Sequence, residues 1–477
     1  MYNQHKQTRS LRYFIKQKTS HQRRWAGYFQ YFFKQRTPAE VLVFGFASII
    51  VIGTLLLSLP IATKTGEYPG FINTLFTSAS AVCVTGLVVV DTGTFWSLFG
   101  QLVIMLLIQI GGLGFMTLMT IIFVISGRRI TIKDRMVLQS SVNSKHVQGV
   151  VKFTKYIIIV SLMIEAIGAI LYATVFIPEF GVAKGAYYAI FHSISSFCNA
   201  GFDLTGNFQS FTAYIHNPII NFTSCALIIV GGLGFAVTSD IYNFHSTHRL
   251  NIHSKMVLTA TLFLISAGTI AFLVLEYNNP ATLQSLSLPN KLMTAFYQSV
   301  TTRTAGSNTI SQFDLTRTSK LVTIILMFIG ASPGSTGGGV KTTTFAVLLL
   351  SLKRVFTGGK DINIYGRRIS TETIQRAFAI VLTALILNSI IIVLLTLLEP
   401  NIPGLSLVFE VYSAYSTVGL SCNVTTQLGS ISKLLIIFNM FTGRVGPLTI
   451  AYVITRREHG NKQQGNYKLP KGNILLG

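Results

Sequence analysis

Charged residues are scarce in this chain, making up 11% of 477 residues, and only 15 of them are acidic. A soluble domain of this size carries about 25% charged residues, so an ordinary water-soluble enzyme or binding module is excluded. Cysteine is sparse as well. Cys83, Cys198, Cys225 and Cys422 fit neither a Cys-x-x-Cys metal spacing nor a small disulfide scaffold, and read as small buried apolar side chains. No His-Glu-x-x-His occurs, and Glu165 and Asp240 stand isolated in apolar sequence, which argues against a membrane-embedded hydrolase. The first 36 residues contain no long apolar run, so no cleavable signal peptide is expected and the first span directs insertion.

Apolar sequence is what the chain has instead. Half of the residues are apolar and the mean hydropathy is +0.55. Runs near 41–61, 97–125, 154–177, 218–241, 255–275, 318–350, 377–398 and 431–454 are each long enough to cross about 30 Å of hydrocarbon, which predicts eight spans.

The net charge of +23 is unevenly placed. Residues 1–36, 127–155, 245–255, 353–376 and 456–471 hold 29 of the 38 basic residues. They alternate with segments carrying Glu67, Asp91, Glu179, Asp203, Glu276, Asp314, Glu399 and Glu410. By the positive-inside rule the basic segments and both termini are cytoplasmic, and the basic N-terminus reads as a topology signal and anionic-lipid contact rather than a nucleic-acid arm.

A fourfold repeat is superimposed on this alternation. Phe76/Gly86, Phe191/Gly201, Phe296/Gly306 and Phe409/Gly419 each pair a phenylalanine with a glycine ten residues later, at the end of a segment too short to cross a bilayer. The turns read Val84-Thr85-Gly86-Leu87, Asn199-Ala200-Gly201-Phe202, Thr304-Ala305-Gly306-Ser307 and Thr417-Val418-Gly419-Leu420, with Ser307 small and polar where the others are bulky. Short helices near 70–82, 186–197, 291–302 and 404–415 would aim their partly negative C-terminal ends at a common axis. Glycine turns there would present carbonyl oxygens to a dehydrated monovalent cation, since no turn carries the carboxylates usual in a divalent site. Asp203 reads equally as a cation-concentrating charge at the mouth or as a solvated loop residue.

The expected fold is an all-α integral membrane protein, with four parallel span–pore helix–span repeats around a central pore and therefore eight spans and four re-entrant P-loops. The chain divides into a basic cytoplasmic N-terminus (1–36), repeat 1 (37–126), a cytoplasmic loop (127–153), repeat 2 (154–244), a loop (245–254), repeat 3 (255–352), a loop (353–376), repeat 4 (377–455) and a cytoplasmic C-terminus (456–477). Each second span carries a glycine cluster: Gly111-Gly112-Leu113-Gly114-Phe115, Gly231-Gly232-Leu233-Gly234-Phe235, Gly330-Ala331-Ser332-Pro333-Gly334 and Gly443-Arg444-Val445-Gly446. In repeat 3 the run continues through Ser335, Thr336, Gly337, Gly338, Gly339 and Lys341 to Thr342, and Pro333 with its glycines predicts a helix broken at 330–342, placed as a gate below the filter. Val340 between Gly339 and Lys341 breaks the Walker A pattern, so a nucleotide site is excluded there. Arg444 is too deep to reach either surface and reads as a fixed positive charge beside the pore. Lys341 either snorkels to the cytoplasmic side or meets a helix end, and Arg303 either staples the filter loops from behind or caps a short helix.

The glycine turns, the run from Gly330 to Thr342 and Arg444 together resemble the potassium-translocating subunits of the Trk/Ktr/HKT superfamily, most closely the bacterial KtrB type, over about residues 40 to 455. The resemblance implies potassium uptake at the cell membrane through a pore within each subunit of a homodimer, with no enzyme activity and no covalent cofactor. It further implies an activating sodium ion and a cytosolic KtrA-like RCK ring, with any regulatory nucleotide bound on that partner only. A carrier-type monovalent cation transporter, or a sodium-selective relative, is the alternative, and parallel rather than inverted repeats speak against the carrier.

Overall fold

Each unit opens with a long apolar helix, and the first shows how the sequence sets its start. In this computed structural model, which describes residues 37–114, 150–358 and 361–456, α1 (Pro38–Leu57) begins behind Thr37. Thr37 and Glu40 form a capping box, with Pro38 at the first helical position. Its counterparts are α4 (Val150–Phe180), α8 (Ile252–Glu276) and α12 (Thr371–Leu398). All four are long and apolar enough to span a bilayer. Residues 1–36, 115–149, 359–360 and the chain beyond 456 lie outside the described residues, and with them the inner part of the span expected at 97–125 and most of the loop expected at 127–153.

The short helices follow close to their expected bounds: α2 (Phe71–Cys83), α5 (Val182–Cys198), α9 (Leu288–Thr301) and α13 (Gly404–Tyr415). In the third unit the register differs from the ten-residue spacing. The fully buried aromatic equivalent to Phe76, Phe191 and Phe409 is Tyr297, while Phe296 is only partly buried. The hydroxyls of Ser78, Ser193 and Ser299 each donate to a carbonyl of the preceding long helix, at Ile50, Glu165 and Ile265 respectively. Ser78 and Ser193 stand eight residues before their glycine and Ser299 seven, so the third unit is one residue shorter between helix and turn.

The second spans depart from expectation. α3 (Leu98–Leu113), α6 (Pro218–Leu233) and α14 (Ser430–Val445) have 16 residues each. At 1.5 Å per residue that is about 24 Å, short of a full crossing. They stop at Gly114, Gly234 and Gly446, whose φ values of 86°, 93° and 96° no helix accepts. Beyond the break, α7 (Phe235–Thr247) lies at 96° to α6, and α15 (Pro447–Arg456) at 98° to α14. The uninterrupted spans expected at 218–241 and 431–454 are therefore bent. In the third unit α10 (Arg317–Phe328) is only 12 residues long, and Pro333 occupies the place of the hinge glycine. An extended loop leads to α11 (Thr342–Thr357), followed by a hairpin of β1 (Asn363–Ile364) and β2 (Arg367–Arg368).

Candidate functional site

The four glycine turns meet. Residues Val84, Asn199, Thr304 and Thr417 have φ between 51° and 71°, and Gly86, Gly201, Gly306 and Gly419 between 69° and 94°. Two left-handed residues separated by one turn the intervening backbone toward a single side. A Cβ on each glycine would lie within 2.9 Å of the next unit's backbone: Gly86 against Ala200 O, Gly201 against Ala305 O, Gly306 against Val418 O and Gly419 against Thr85 O. The contacts close a ring in chain order, one turn per unit.

Hydroxyls brace this ring from behind. Ser80 Oγ accepts from Gly86 N and Ser413 Oγ from Gly419 N, both at 3.1 Å. Ser195 Oγ donates to Phe202 O at 2.6 Å and Thr301 Oγ1 donates to Ser307 O. Ser307 also has its own partner, since the Tyr297 hydroxyl lies 2.7 Å from its Oγ. Asn199 and Thr304 side chains meet at 3.2 Å, tying the second turn to the third. Thr85 Oγ1 and Thr417 Oγ1 are buried with no hydrogen-bond partner among the described residues. Two orphaned hydroxyls among packed carbonyls suit a dehydrated cation, which needs oxygen ligands in place of water.

Outside the ring opens a cavity of about 880 Å³ lined by all four glycines, Leu87, Asp203 and polar residues such as Asn308, Gln312 and Thr425. Asp203 is its only carboxylate among the described residues. Burial pushes this carboxyl up to about 6, the neighbouring Asp91 charge pushes the same way, and hydrogen bonds from Thr205 oppose both.

The run from Gly330 to Lys341 lies directly inside the ring. A Cβ on Gly337 would strike the Thr304 hydroxyl, and one on Gly338 would lie 2.5 Å from that of Thr417. Backbone bonds hold it from both sides. Ser332 N donates to Gly232 O, Thr336 N to Gly231 O and Phe235 N to Gly334 O, while Gly330 N donates to Val340 O. Ser332 and Thr342 hydroxyls meet at 3.0 Å, and Ser335 Oγ donates to Ser332 O. Ala331 is fully buried and its N–H donates to Gly338 O at 3.3 Å.

Arg444 reaches across this loop. Its guanidinium donates to Thr336 O on the loop and to Gly111 O and Gly112 O at the end of α3, the last at 3.3 Å. Lys341 Nζ donates to Gly337 O at 2.7 Å, within its own loop. Arg303 is 7% exposed, its Nε has no acceptor among the described residues, and it lines a small niche with Ile228, Ile229, Gly232, Ile265 and Val300. It faces the gap between the second and third units.

Sequence reading missed the bracing hydroxyls and treated Glu165 and Asp240 as isolated. Glu165 is buried and accepts from Gln109 Nε2 at 3.0 and 3.1 Å, and Asp240 accepts from Asn251 N and Nδ2 ahead of α8. Aligning the units on the buried serines rather than on Phe296 brings Ser80, Ser195, Thr301 and Ser413 into one column, the signal that was available.

Four turns closed on an axis, a polar cavity outside and a broken helix inside define a multi-pass membrane protein built from re-entrant units. The chain belongs to the TrkH family of cation transport proteins, which its residues 5–464 match, and is accordingly a transporter and not an enzyme. It is 40% identical over 447 residues to the potassium/sodium uptake protein NtpJ of Enterococcus hirae, covering 93% of this chain and 98% of that one. It is also 40% identical over 441 residues to the Ktr system potassium uptake protein B of Bacillus subtilis, covering 92% and 97%. The crystal structure of the potassium transporter TrkH from Vibrio parahaemolyticus matches with a TM-score of 0.70 over 89% of this chain and 86% of that one, at 17% identity.

Proposed function

We propose that this protein takes up potassium across the cytoplasmic membrane, through a pore whose selectivity filter is the ring of four turns. The observation that carries the reading is the ring itself: each glycine packs against the carbonyl-bearing backbone of the next unit, leaving room for no side chain. Potassium as cargo is supported by the names of the two relatives, and one of those names includes sodium. The loop 330–341 is the gate, because it lies across the conduction axis just inside Thr304 and Thr417. Arg444 serves it twice, as a positive charge opposing a cation and as the clasp joining the loop to α3. Sodium activation, a homodimer, cytoplasmic termini and control by a nucleotide-binding RCK ring complete the reading by family resemblance.

The test is rescue of a potassium-uptake-deficient bacterium at low external potassium, with and without a co-expressed RCK subunit. Growth restored more strongly with the RCK subunit is expected. Normal membrane insertion with no potassium-dependent rescue in either arm overturns the reading, and saturable uptake at slow, carrier-like turnover overturns the pore.

A further inference from the structure

The gaps between successive units are built from corresponding residues, and two of them hold buried ionisable side chains of opposite kind, Glu165 and Arg303. Between the first and second units lie Gln109, Glu165 and Cys198; between the second and third lie Ile229, Ile265 and Arg303. Gln109 and Ile229 both stand two residues before the first glycine of their cluster. The carbonyls of Glu165 and Ile265 both accept from a short-helix serine, and Cys198 and Arg303 both stand three residues before their turn glycine. An acid thus occupies a place that is isoleucine in the next unit. Glu165 is 5% exposed and has no cation within ion-pair distance among the described residues. Burying an unpaired carboxylate is costly, so an acid kept here for packing alone is a poor exchange for isoleucine.

What Glu165 touches leads to Arg444. Both carboxylate oxygens accept from Gln109, which lies on the last turn of α3. Two and three residues on, Gly111 and Gly112 offer the carbonyls that receive the Arg444 guanidinium. Cys198 closes the group: its Sγ is 4.0 Å from Glu165 Oε1, and a Cβ on Gly112 would lie 2.5 Å from that sulfur. We infer that Glu165 and Gln109 are positioning residues for the gate arginine, Gln109 anchoring the carbonyl seat and Glu165 offsetting part of the positive charge that opposes the cation. The inference rests on the gate reading of Arg444 given above. Isoleucine at the second gap makes sense on the same ground, because among the described residues no arginine reaches Gly231 or Gly232 there; those carbonyls receive Thr336 N and Ser332 N instead.

The experiment is potassium uptake, normalised to surface protein, in the full chain with its RCK partner, for Glu165→Gln, Glu165→Asp, Gln109→Leu and Arg444→Ala, and for the first and third again in the Arg444→Ala background. E165Q keeps the hydrogen bond and removes the charge, so Vmax should fall by roughly threefold to tenfold. KM for external potassium should stay unchanged, because the barrier lies inside the filter. E165D keeps the charge and should stay within about twofold of the unmodified protein. Q109L frees the seat and should raise Vmax toward that of R444A, and neither E165Q nor Q109L should add anything once Arg444 is alanine. A fall for E165Q that persists in the R444A background, or one that E165D matches, marks a packing role and overturns the inference. If E165Q fails to reach the membrane, Q109L with and without R444A decides, and no effect in either background overturns it. R444A without a rise in Vmax overturns the gate reading and this inference together; R444A with a rise while E165Q and Q109L change nothing overturns the inference alone.

Discussion

From the left-handed residue to the glycine the four turns correspond, with positive φ at Val84, Asn199, Thr304 and Thr417 and a bracing hydroxyl behind each, whereas farther inside only three units keep the hinge glycine and the third has Pro333. On the proposed function the outer layer would present equivalent backbone oxygens to one spherical ion, which fits a ring whose backbone repeats while a side chain such as Ser307 differs and turns to Tyr297 behind it. The inner layer has no such constraint. There the third unit supplies an irregular loop, the fourth an arginine, and the first and second the carbonyls that hold both. On the proposed function coordination accordingly falls to the symmetric layer and control to the asymmetric one.

The strongest way to break this comparison is to disturb the symmetric layer. Alanine or serine at Gly86, Gly201, Gly306 or Gly419 must adopt a φ that costs an L-residue about 1–2 kcal/mol and must displace the neighbouring carbonyl. Potassium over sodium preference, measured by competing tracer uptake, should fall by about tenfold at each site, since about 1.4 kcal/mol is a factor of ten. Equal losses at all four positions support an equivalent ring. Unchanged preference in all four mutants removes the filter assignment.

Next in size are changes to the asymmetric layer. Arg444→Ala should raise Vmax by roughly threefold to tenfold with ion preference kept, because one fixed charge beside the path is removed and the turns are untouched. Shortening the run 331–339 should likewise yield uptake that no longer depends on an RCK partner. A shortened protein that still conducts only with partner and nucleotide places regulation elsewhere.

The hinge glycines separate the two layers more finely. Gly234 and Gly446 share φ near 95°, yet a Cβ on Gly234 would lie 2.6 Å from Pro333 O while one on Gly446 meets nothing closer than 3.6 Å. Gly446→Ala should therefore cost about 1–2 kcal/mol for its φ, and Gly234→Ala more, because it must also displace the Pro333 carbonyl, both read by thermal unfolding in detergent. Only G234A should also change uptake velocity, by about twofold to threefold, because it alone pushes on the gate loop. Equal kinetic effects would show that bending itself, not contact with the loop, is what matters.

Much of this was legible because the repeat writes each feature four times. The turn glycines, the broken run and Arg444 stand out from spacing and from the cost of charge in an apolar run. The breaks at Gly234 and Gly446 were hidden because hydropathy continues unbroken through Phe235 and through Pro447 to Ile450, and a window reads composition, not φ. The register of the third unit was hidden because Phe296 and Tyr297 are adjacent aromatics, and only burial distinguishes which one packs. Glu165 was misread because its partner, Gln109, is 56 positions away and uncharged.

The smallest effect, and the one that tests the outer cavity, concerns Asp203. Its carboxyl is raised from 3.8 to about 6, first by burial and then by the charge of Asp91. At pH 7 to 8 it is ionised and, among the described residues, the only carboxylate lining the cavity, so it is expected to concentrate cations ahead of the ring. Below about pH 6 it takes up a proton and that attraction is lost. Uptake at limiting potassium should then fall by about twofold between pH 7.5 and pH 5.5, with KM rising and Vmax unchanged. Asp203→Asn should reproduce the acidic KM at every pH and flatten the profile. Stability runs the opposite way: an acid whose folded value is raised binds more protons folded than unfolded between about pH 4 and pH 6, so its ionisation costs stability that is fully felt above that window and absent below it. D203N should therefore melt higher than the unmodified protein at pH 7.5 and no higher at pH 4. A mutant with an unaltered KM profile and unaltered melting would return Asp203 to the status of a solvated loop charge and leave the symmetric ring to recruit its cations unaided.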